Sequence, residues 1–242
     1  MPPPSNTQTP FVAYNKDMIT PYDWQEGIGH RASYVDNKLA QGSPVMAISI
    51  GEGILLLTYR RQARKIYEIY DRLAYAAIGQ QSDVEALRVA AIDFAHQEGF
   101  NRSEQDVTLQ RVVTALSGPV KKAFSDFSSS PFVARSLFAE VGATPDQDSY
   151  AVLDYDGDYN TRRGFAYVAG SSEVGDAIEA RLAELLRDGL TQKKAEKALR
   201  DIWSATREQE AAKADDLLPE IVLLDRSELR ENRFRVLDGE KD

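Results

Sequence analysis

The chain has 242 residues, a formal net charge of −9, and 43% hydrophobic and 28% charged residues. This composition is typical of a globular protein and argues against disorder over most of the chain. Cysteine is absent and only two histidines occur, which excludes disulfides, thiol nucleophiles and a multi-histidine zinc site within one chain. The acidic balance argues against nucleic acid as a partner.

The sequence also argues against membrane association. No apolar run approaches the ~20 residues of a membrane span. The N-terminus lacks the basic and apolar regions of a signal peptide. We therefore expect a cytoplasmic protein with no membrane partner. No motif for a cofactor or a metal ion stands out, so we expect neither.

The first elements are a tail and a helix. Residues 1–20 are rich in Pro, Ser, Thr and Asn and predict a flexible N-terminal tail. We expect one domain over residues 21–242, opening with a helix at residues 23–41 that ends near Gly42. Apolar residues at helical spacing define one face of this helix: Trp24, Ile28, Ala32, Val35 and Leu39.

Short strands come next, with a hairpin turn at Gly51–Gly53. They are predicted at residues 45–50, 54–58, 66–70 and 73–78. A helix then begins at Ser82–Glu85, which has the pattern of a capping box, and ends at Gly99. A second helix is predicted over residues 107–127, with a kink at Pro119.

The second half of the chain repeats this order. Strands are predicted at residues 132–141, 150–155 and 165–169, with a turn at Asp156-Gly157. One helix buries residues from Val174 to Leu186 and is capped by Gly189, and another opens at Thr191. The last strands are predicted at residues 221–224 and 234–237.

Clustered strands and clustered helices argue against a doubly wound fold. Hairpin-linked strands need antiparallel sheets, and the two amphipathic helix pairs can each cover one sheet. The element order therefore predicts an α+β fold, a four-layer helix–sheet–sheet–helix sandwich with antiparallel sheets.

Two motifs favour a structural interpretation. Gly27–Ala32 matches the loose GxGxxA form of a dinucleotide loop, but it lies inside a helical pattern instead of after a strand. Asp154, Asp156 and Asp158 resemble the start of a calcium loop. The positions where that loop needs Gly and Glu hold Tyr159 and Phe165, so a polar hairpin turn is favoured.

Gly42-Ser43, at the start of a strand, allows a second hypothesis, in which the chain is a hydrolase that uses Ser43 as its nucleophile. N-terminal-nucleophile (Ntn) hydrolases cut themselves before such a residue, and the freed amine and hydroxyl then act as base and nucleophile. Lys65 is the candidate for a nearby lysine that lowers the working pKa. Pro44 argues against cleavage, because it is rigid and lacks an N–H. An uncut turn is favoured, and self-processing at Ser43 stays open.

One long segment carries a family resemblance. The sequence KIYEIYDRLAYAAIGQQSDVEALRVAAIDFAHQEGFNRSEQDVT, from Lys65 to Thr108, closely resembles proteasome α-subunits, particularly the bacterial form. A looser resemblance extends over residues 20–237 and includes Gly42-Ser43 and the strand at Pro219–Ile221. The fold of that family, shared with Ntn hydrolases, is the sandwich that the element order predicts.

The resemblance implies a structural subunit with no catalytic residue of its own. Proteasome α-subunits form homo-heptameric outer rings stacked on rings of β-subunits, whose N-terminal threonine cleaves tagged protein substrates. The helix before Gly42 is an α-type feature. Ser43 and Tyr59 stand where the catalytic subunits have threonine and an acid.

The resemblance also implies docking and gating residues. Lys65 matches the lysine that receives the C-terminal carboxylate of a ring-shaped ATPase activator, and Gly42 matches a glycine of the same pocket. An ion pair between Lys65 and Glu68 or another acid is the structural alternative. The tail would restrict passage at the pore, with Tyr22 and Asp23 as gate residues, although Trp24 stands where the archaeal gate has Arg.

Overall fold

The computed structural model describes residues 20–186, 190–206, 217–227 and 232–237. Within these residues, helices and strands follow one another in groups, as predicted. The helices are α1 (Pro21–Leu39), α2 (Gln81–Asn101), α3 (Leu109–Ser125), α4 (Ser172–Leu185) and α5 (Gln192–Thr206). The strands are β1 (Val45–Ile50), β2 (Gly53–Arg60), β3 (Ile66–Tyr70), β4 (Leu73–Gly79), β5 (Ala134–Glu140), β6 (Ser149–Leu153), β7 (Tyr159–Arg162), β8 (Phe165–Val168), β9 (Leu218–Asp225) and β10 (Phe234–Leu237).

The strands build two antiparallel sheets that pack face to face. The first sheet has the order β10-β9-β2-β1-β8, and the second has the order β3-β4-β5-β6-β7. Helices α4 and α5 cover the outer face of the first sheet, and α2 and α3 cover that of the second. The predicted four-layer sandwich is confirmed.

The hairpin of β1 and β2 lies inside the first sheet. Every residue of β1 is buried, because Val45 and Ala47 face the second sheet while Met46 and Ile48 face the helices. The turn depends on Gly53, whose φ is +156°. A Cβ at this position would lie 2.1 Å from the carbonyl oxygen of Leu224, so only glycine fits.

Helix α1 closes one end of the sandwich. It begins with a capping box between Thr20 and Asp23, and it ends at Leu39 instead of reaching Gly42. The predicted apolar face is buried at Val35 and Leu39, but Trp24 in the first turns is 47% exposed. The Gly27–Ala32 motif lies within this helix, so it is not a dinucleotide loop.

Helix α2 departs from its predicted ends. It begins at Gln81, and Ser82 does not cap it. The carboxylate of Asp83 accepts the backbone N–H of Val133 at 2.8 Å, so the acid ties the helix to the chain before β5. The helix also continues past Gly99 to Asn101. Gly99 serves a packing role, because a Cβ there would lie 2.4 Å from the Tyr70 hydroxyl.

Two further details concern the second half. Strand β7 was not predicted, because its four residues are polar or half-exposed and lack apolar alternation. The turn at Asp156-Gly157 is confirmed, with Gly157 at φ +87°. The predicted cap at Gly189 lies outside the described residues.

A buried ion pair joins three segments at the end of the sandwich near the β1–β2 turn. The Arg226 guanidinium donates to both carboxylate oxygens of Asp148, at 2.7 and 2.9 Å, and to the backbone carbonyls of Ile50 and Gly142, at 3.0 and 2.6 Å. Asp148 is completely buried. Because a buried carboxylate without a partner is strongly unfavourable, Arg226 compensates the charge of Asp148.

We expect Arg226→Ala to lower the free energy of unfolding by about 3–5 kcal/mol, because it leaves the Asp148 carboxylate buried without its cation. Urea unfolding at matched protein concentration measures the loss. Arg181→Ala, at an exposed position of α4, is the control and should change stability by less than about 0.5 kcal/mol. Equal effects of the two substitutions would contradict this role of Arg226.

Candidate functional site

The structure brings Lys65 and the Gly42-Ser43 turn together. Lys65 is half-buried and lies directly before β3, at the end of the loop that leaves β2. Its ammonium donates a hydrogen bond to the backbone carbonyl of Ser43 at 2.9 Å. Gly42 is also half-buried, and a Cβ at that position would lie 3.2 Å from the Cβ of Ile78. The two predicted docking residues therefore belong to one site.

The Ser43 hydroxyl is held from the opposite side by α5. The indole N–H of Trp203 donates to Ser43 Oγ at 2.9 Å. Trp203 is 3% exposed and stacks on Tyr59 of β2, with ring centroids 3.9 Å apart. The Lys65 ammonium contacts the carbonyl of Ser43, whereas Trp203 contacts the hydroxyl. Hydrogen bonds thus hold Ser43 at both its carbonyl and its hydroxyl.

A buried carboxylate fixes the backbone of Lys65. Glu220 of β9 is 5% exposed, and its oxygens accept the backbone N–H groups of Lys65 at 2.9 Å and Ile66 at 3.4 Å. Arg60 Nε lies 3.5 Å from the same carboxylate. Burial raises the pKa of Glu220, while the two N–H bonds and the charge of Arg60 oppose that rise.

Glu220 connects the two sheets at this site. It lies on β9 of the first sheet, opposite Thr58 of β2. Its two N–H donors stand at the start of β3, which is the edge strand of the second sheet. One carboxylate therefore fixes both ends of the loop at residues 61–65 and the position of Lys65 relative to Ser43.

The structural alternative for Lys65 is an ion pair with Glu68 or another acid, and the pKa of Glu68 bears on the first of these. Burial, followed by the nearby charge of Asp71, raises the pKa of Glu68. A cation held against Glu68 would lower it.

The predicted gate residues lie at the start of α1. Asp23 accepts hydrogen bonds from the hydroxyl of Thr20 at 2.7 Å and from its backbone N–H at 3.1 Å, and these bonds lower the pKa of Asp23. Tyr22 is 75% exposed. Asp23 thus caps the helix, and Tyr22 presents its ring to the surface. Residues 1–19 of the predicted tail lie outside the described residues.

The three aspartates of the calcium-like motif form the turn between β6 and β7. Asp154 accepts from Arg135 Nε at 3.1 Å, and Asp156 accepts the backbone N–H of Asp158 at 2.9 Å. The predicted hairpin turn is confirmed. Across the described ranges, no group of three or more acidic or histidine side chains is arranged to hold a metal ion. No helix among them is long and apolar enough to cross a membrane.

Sequence reasoning missed the residues that support Lys65. Glu220 was noted only as part of a family strand, and Trp203 only as part of an apolar helix face. A charged residue inside an apolar strand, as in LPEIVLLD, is the signal that points to Glu220. Nothing in the sequence pairs Trp203 with Ser43, because the two are 160 positions apart.

We expect Glu220→Gln to raise the exchange rates of the Lys65 and Ile66 amide hydrogens by about tenfold or more, because the charge-assisted acceptor is lost. Hydrogen exchange followed by NMR or mass spectrometry measures the change. Glu140→Gln is the matched control, since Glu140 accepts the Leu109 N–H at 2.9 Å. Glu140→Gln should raise the amide exchange rate of Leu109 only. Unchanged exchange at Lys65 in Glu220→Gln would refute the role of Glu220 in holding the backbone of Lys65.

Comparison with known proteins gives a consistent result. A model of the proteasome subunit family matches residues 41–219. The proteasome subunit alpha of Kineococcus radiotolerans is 33% identical over 217 residues, covering 86% of this chain and 89% of the relative. That of Thermobifida fusca is 31% identical over 216 residues, covering 87% and 83%. That of Nocardioides sp. is 29% identical over 207 residues, covering 84% and 79%.

Proposed function

We propose a function for this chain from one premise, that it belongs to the proteasome subunit family and is of the alpha type. We infer that it is the non-catalytic α-ring subunit of a bacterial core proteasome. In this proposal it forms a homo-heptameric outer ring, stacks on a ring of β-subunits that hold the active sites, and admits tagged protein substrates. The observation that carries the proposal is the supported position of Lys65 beside Gly42 and Ser43.

The docking role rests on the chemistry of Lys65. An ammonium that is half-buried and held by a backbone carbonyl is prepared to receive a carboxylate from solution. Such a charge-assisted hydrogen bond contributes about 1.5–3 kcal/mol when it is sheltered from water. One contact of this size is weak, but several activator tails around a ring multiply the affinity. We therefore assign Lys65 and Gly42 to the docking of a ring ATPase.

The gating role rests on the N-terminal region. In the proposal, residues 1–20 form a tail at the pore, and residues 21–242 form one domain that begins with α1. Tyr22 and Asp23 stand at the junction of the two. The capping bonds of Asp23 with Thr20 mark the start of α1. In the proposal, this junction is where the tail leaves the ring.

Lys65→Ala tests the docking role in particles made by co-expression with the β-subunit. Wild-type chains should assemble into four-ring barrels with peptidase activity. We expect the variant to assemble normally and to cleave small peptides, but to need about tenfold or more activator for half-maximal protein degradation. Lys194→Ala removes an exposed lysine of α5 and is the control.

Two results would contradict the proposal. Normal activator dependence of Lys65→Ala would remove the docking role. Monomers alone, seen by electron microscopy after co-expression with the β-subunit, would remove the assignment to a ring.

The alternative, an Ntn hydrolase that processes itself at Ser43, predicts a different mature chain. We expect the intact mass to retain residues 1–42, because the Ser43 hydroxyl is engaged by Trp203 and Pro44 follows directly. Mass spectrometry of the purified protein distinguishes the two. A chain that begins at Ser43 and hydrolyses amide bonds without a partner would favour the alternative.

A further inference from the structure

The loop that leads into Lys65 concentrates positive charge in an acidic protein. The chain has a net charge of −9, yet most positions from 60 to 65 are cationic. They are Arg60, Arg61, Arg64 and Lys65. Arg61 and Arg64 are exposed, and neither forms an ion pair with another residue in the described ranges. We call residues 60–65, the last residue of β2 and the loop that follows it, the basic loop.

The basic loop is held in place at both ends. Glu220 lies 3.5 Å from Arg60 Nε and accepts the N–H of Lys65 at 2.9 Å. Arg60 Nη1 also donates to the carbonyl of Gln62 at 2.7 Å. A ligand that binds a fixed loop loses less conformational entropy than one that must order a flexible loop. The backbone that carries the positively charged residues is therefore held in position before a ligand binds.

The charge of the basic loop is directed outward. Burial raises the pKa of Glu220, and the backbone N–H bonds and then the charges of Arg60 and Arg64 oppose that rise. Glu220 is buried, whereas Arg61 and Arg64 are exposed, so the positive charge of these two residues faces solvent. Exposed charges of this kind attract an anionic partner over distances of about one Debye length, roughly 10 Å in 0.1 M salt.

We propose that the basic loop binds acidic side chains that precede the C-terminal carboxylate of a docked partner tail. The inference rests on the proposed docking role of Lys65 and extends it to the composition of the tail. Lys65 receives the terminal carboxylate, and Arg61 and Arg64 bind Asp or Glu residues a few positions earlier. The favoured partner is thus a short peptide segment with an acidic end.

A nucleic acid is the other anionic partner that a basic loop can bind. The geometry favours the peptide because the cationic surface is confined to a few residues. A long polyanion would extend beyond the basic loop onto a protein surface whose overall charge is −9, where repulsion opposes binding. A short acidic tail ends at Lys65 and stays on the loop.

Three synthetic peptides test the inference on the assembled ring of full-length chains. The first has two Glu residues among its last five positions and a free carboxylate. The second has Gln in place of both Glu, and the third is the first with a C-terminal amide. Fluorescence anisotropy should show that the first binds about fivefold more tightly than the second in low salt. This preference should shrink toward equality at about 0.5 M salt, where screening is strong.

Two double variants test whether Arg61 and Arg64 cause the preference for the acidic peptide over the neutral one. Arg61→Gln/Arg64→Gln should bind the acidic and neutral peptides equally, with rings and thermal stability unchanged. Lys193→Ala/Lys194→Ala removes two exposed cations from α5 and is the control for net charge. It should keep the preference. Since the salt dependence is measured on the wild-type ring, the test does not depend on the variants folding.

The outcomes separate this inference from the proposed function. Suppose that Lys65→Ala lowers the affinity for every peptide with a free carboxylate, but that the wild-type ring binds acidic and neutral peptides equally. In that case the inference fails and the proposed docking role stands. If Lys65→Ala and the C-terminal amide have no effect, docking itself fails. A preference that survives Arg61→Gln/Arg64→Gln would overturn the inference. So would tighter binding of a single-stranded oligonucleotide than of the acidic peptide at the same loop.

Discussion

The site depends on one buried carboxylate that joins the two sheets. Glu220 enters the interior on β9, and a carboxylate there must be compensated by donors. It finds them in the backbone N–H groups of Lys65 and Ile66, and the charge of Arg60, whose Nε lies 3.5 Å away, adds an ion pair. The hydrogen bonds that stabilise the buried Glu220 carboxylate also fix the backbone at the start of β3. The direction of Lys65 toward Ser43 follows from that constraint.

The surroundings of Ser43 bear on the proposed non-catalytic role. A self-processed enzyme of this kind needs a free amine and hydroxyl on one residue, here Ser43 just before β1, with a lysine nearby. Here the Ser43 hydroxyl accepts a hydrogen bond from the indole N–H of Trp203, and the Lys65 ammonium donates to the Ser43 carbonyl. In the proposed function, the surface around Lys65 receives the carboxylate of a docked tail. The exposed cations of the basic loop extend that surface.

The sequence predicted the layers of the fold well and the contacts of the site poorly. Apolar periodicity decides which face of a helix or strand is buried, so strands such as β1, β3 and β10 were placed at their observed ends. The start of α2 was misplaced, because the carboxylate of Asp83 bonds the backbone of Val133 and does not take part in a capping box. Strand β7 was missed, because it lies at the edge of its sheet and lacks an apolar pattern. Lys65 was found by resemblance. Its support by Glu220 was not, because that contact joins positions 155 apart.

The most direct test is the structure of the assembled ring with the C-terminal peptide of its activator bound, determined by electron cryomicroscopy. The account predicts that the terminal carboxylate lies within hydrogen-bond distance of the Lys65 ammonium, with Glu220 still bound to the backbone of Lys65. A peptide seated away from Lys65, or a Lys65 that turns from Ser43 without meeting the carboxylate, would contradict it.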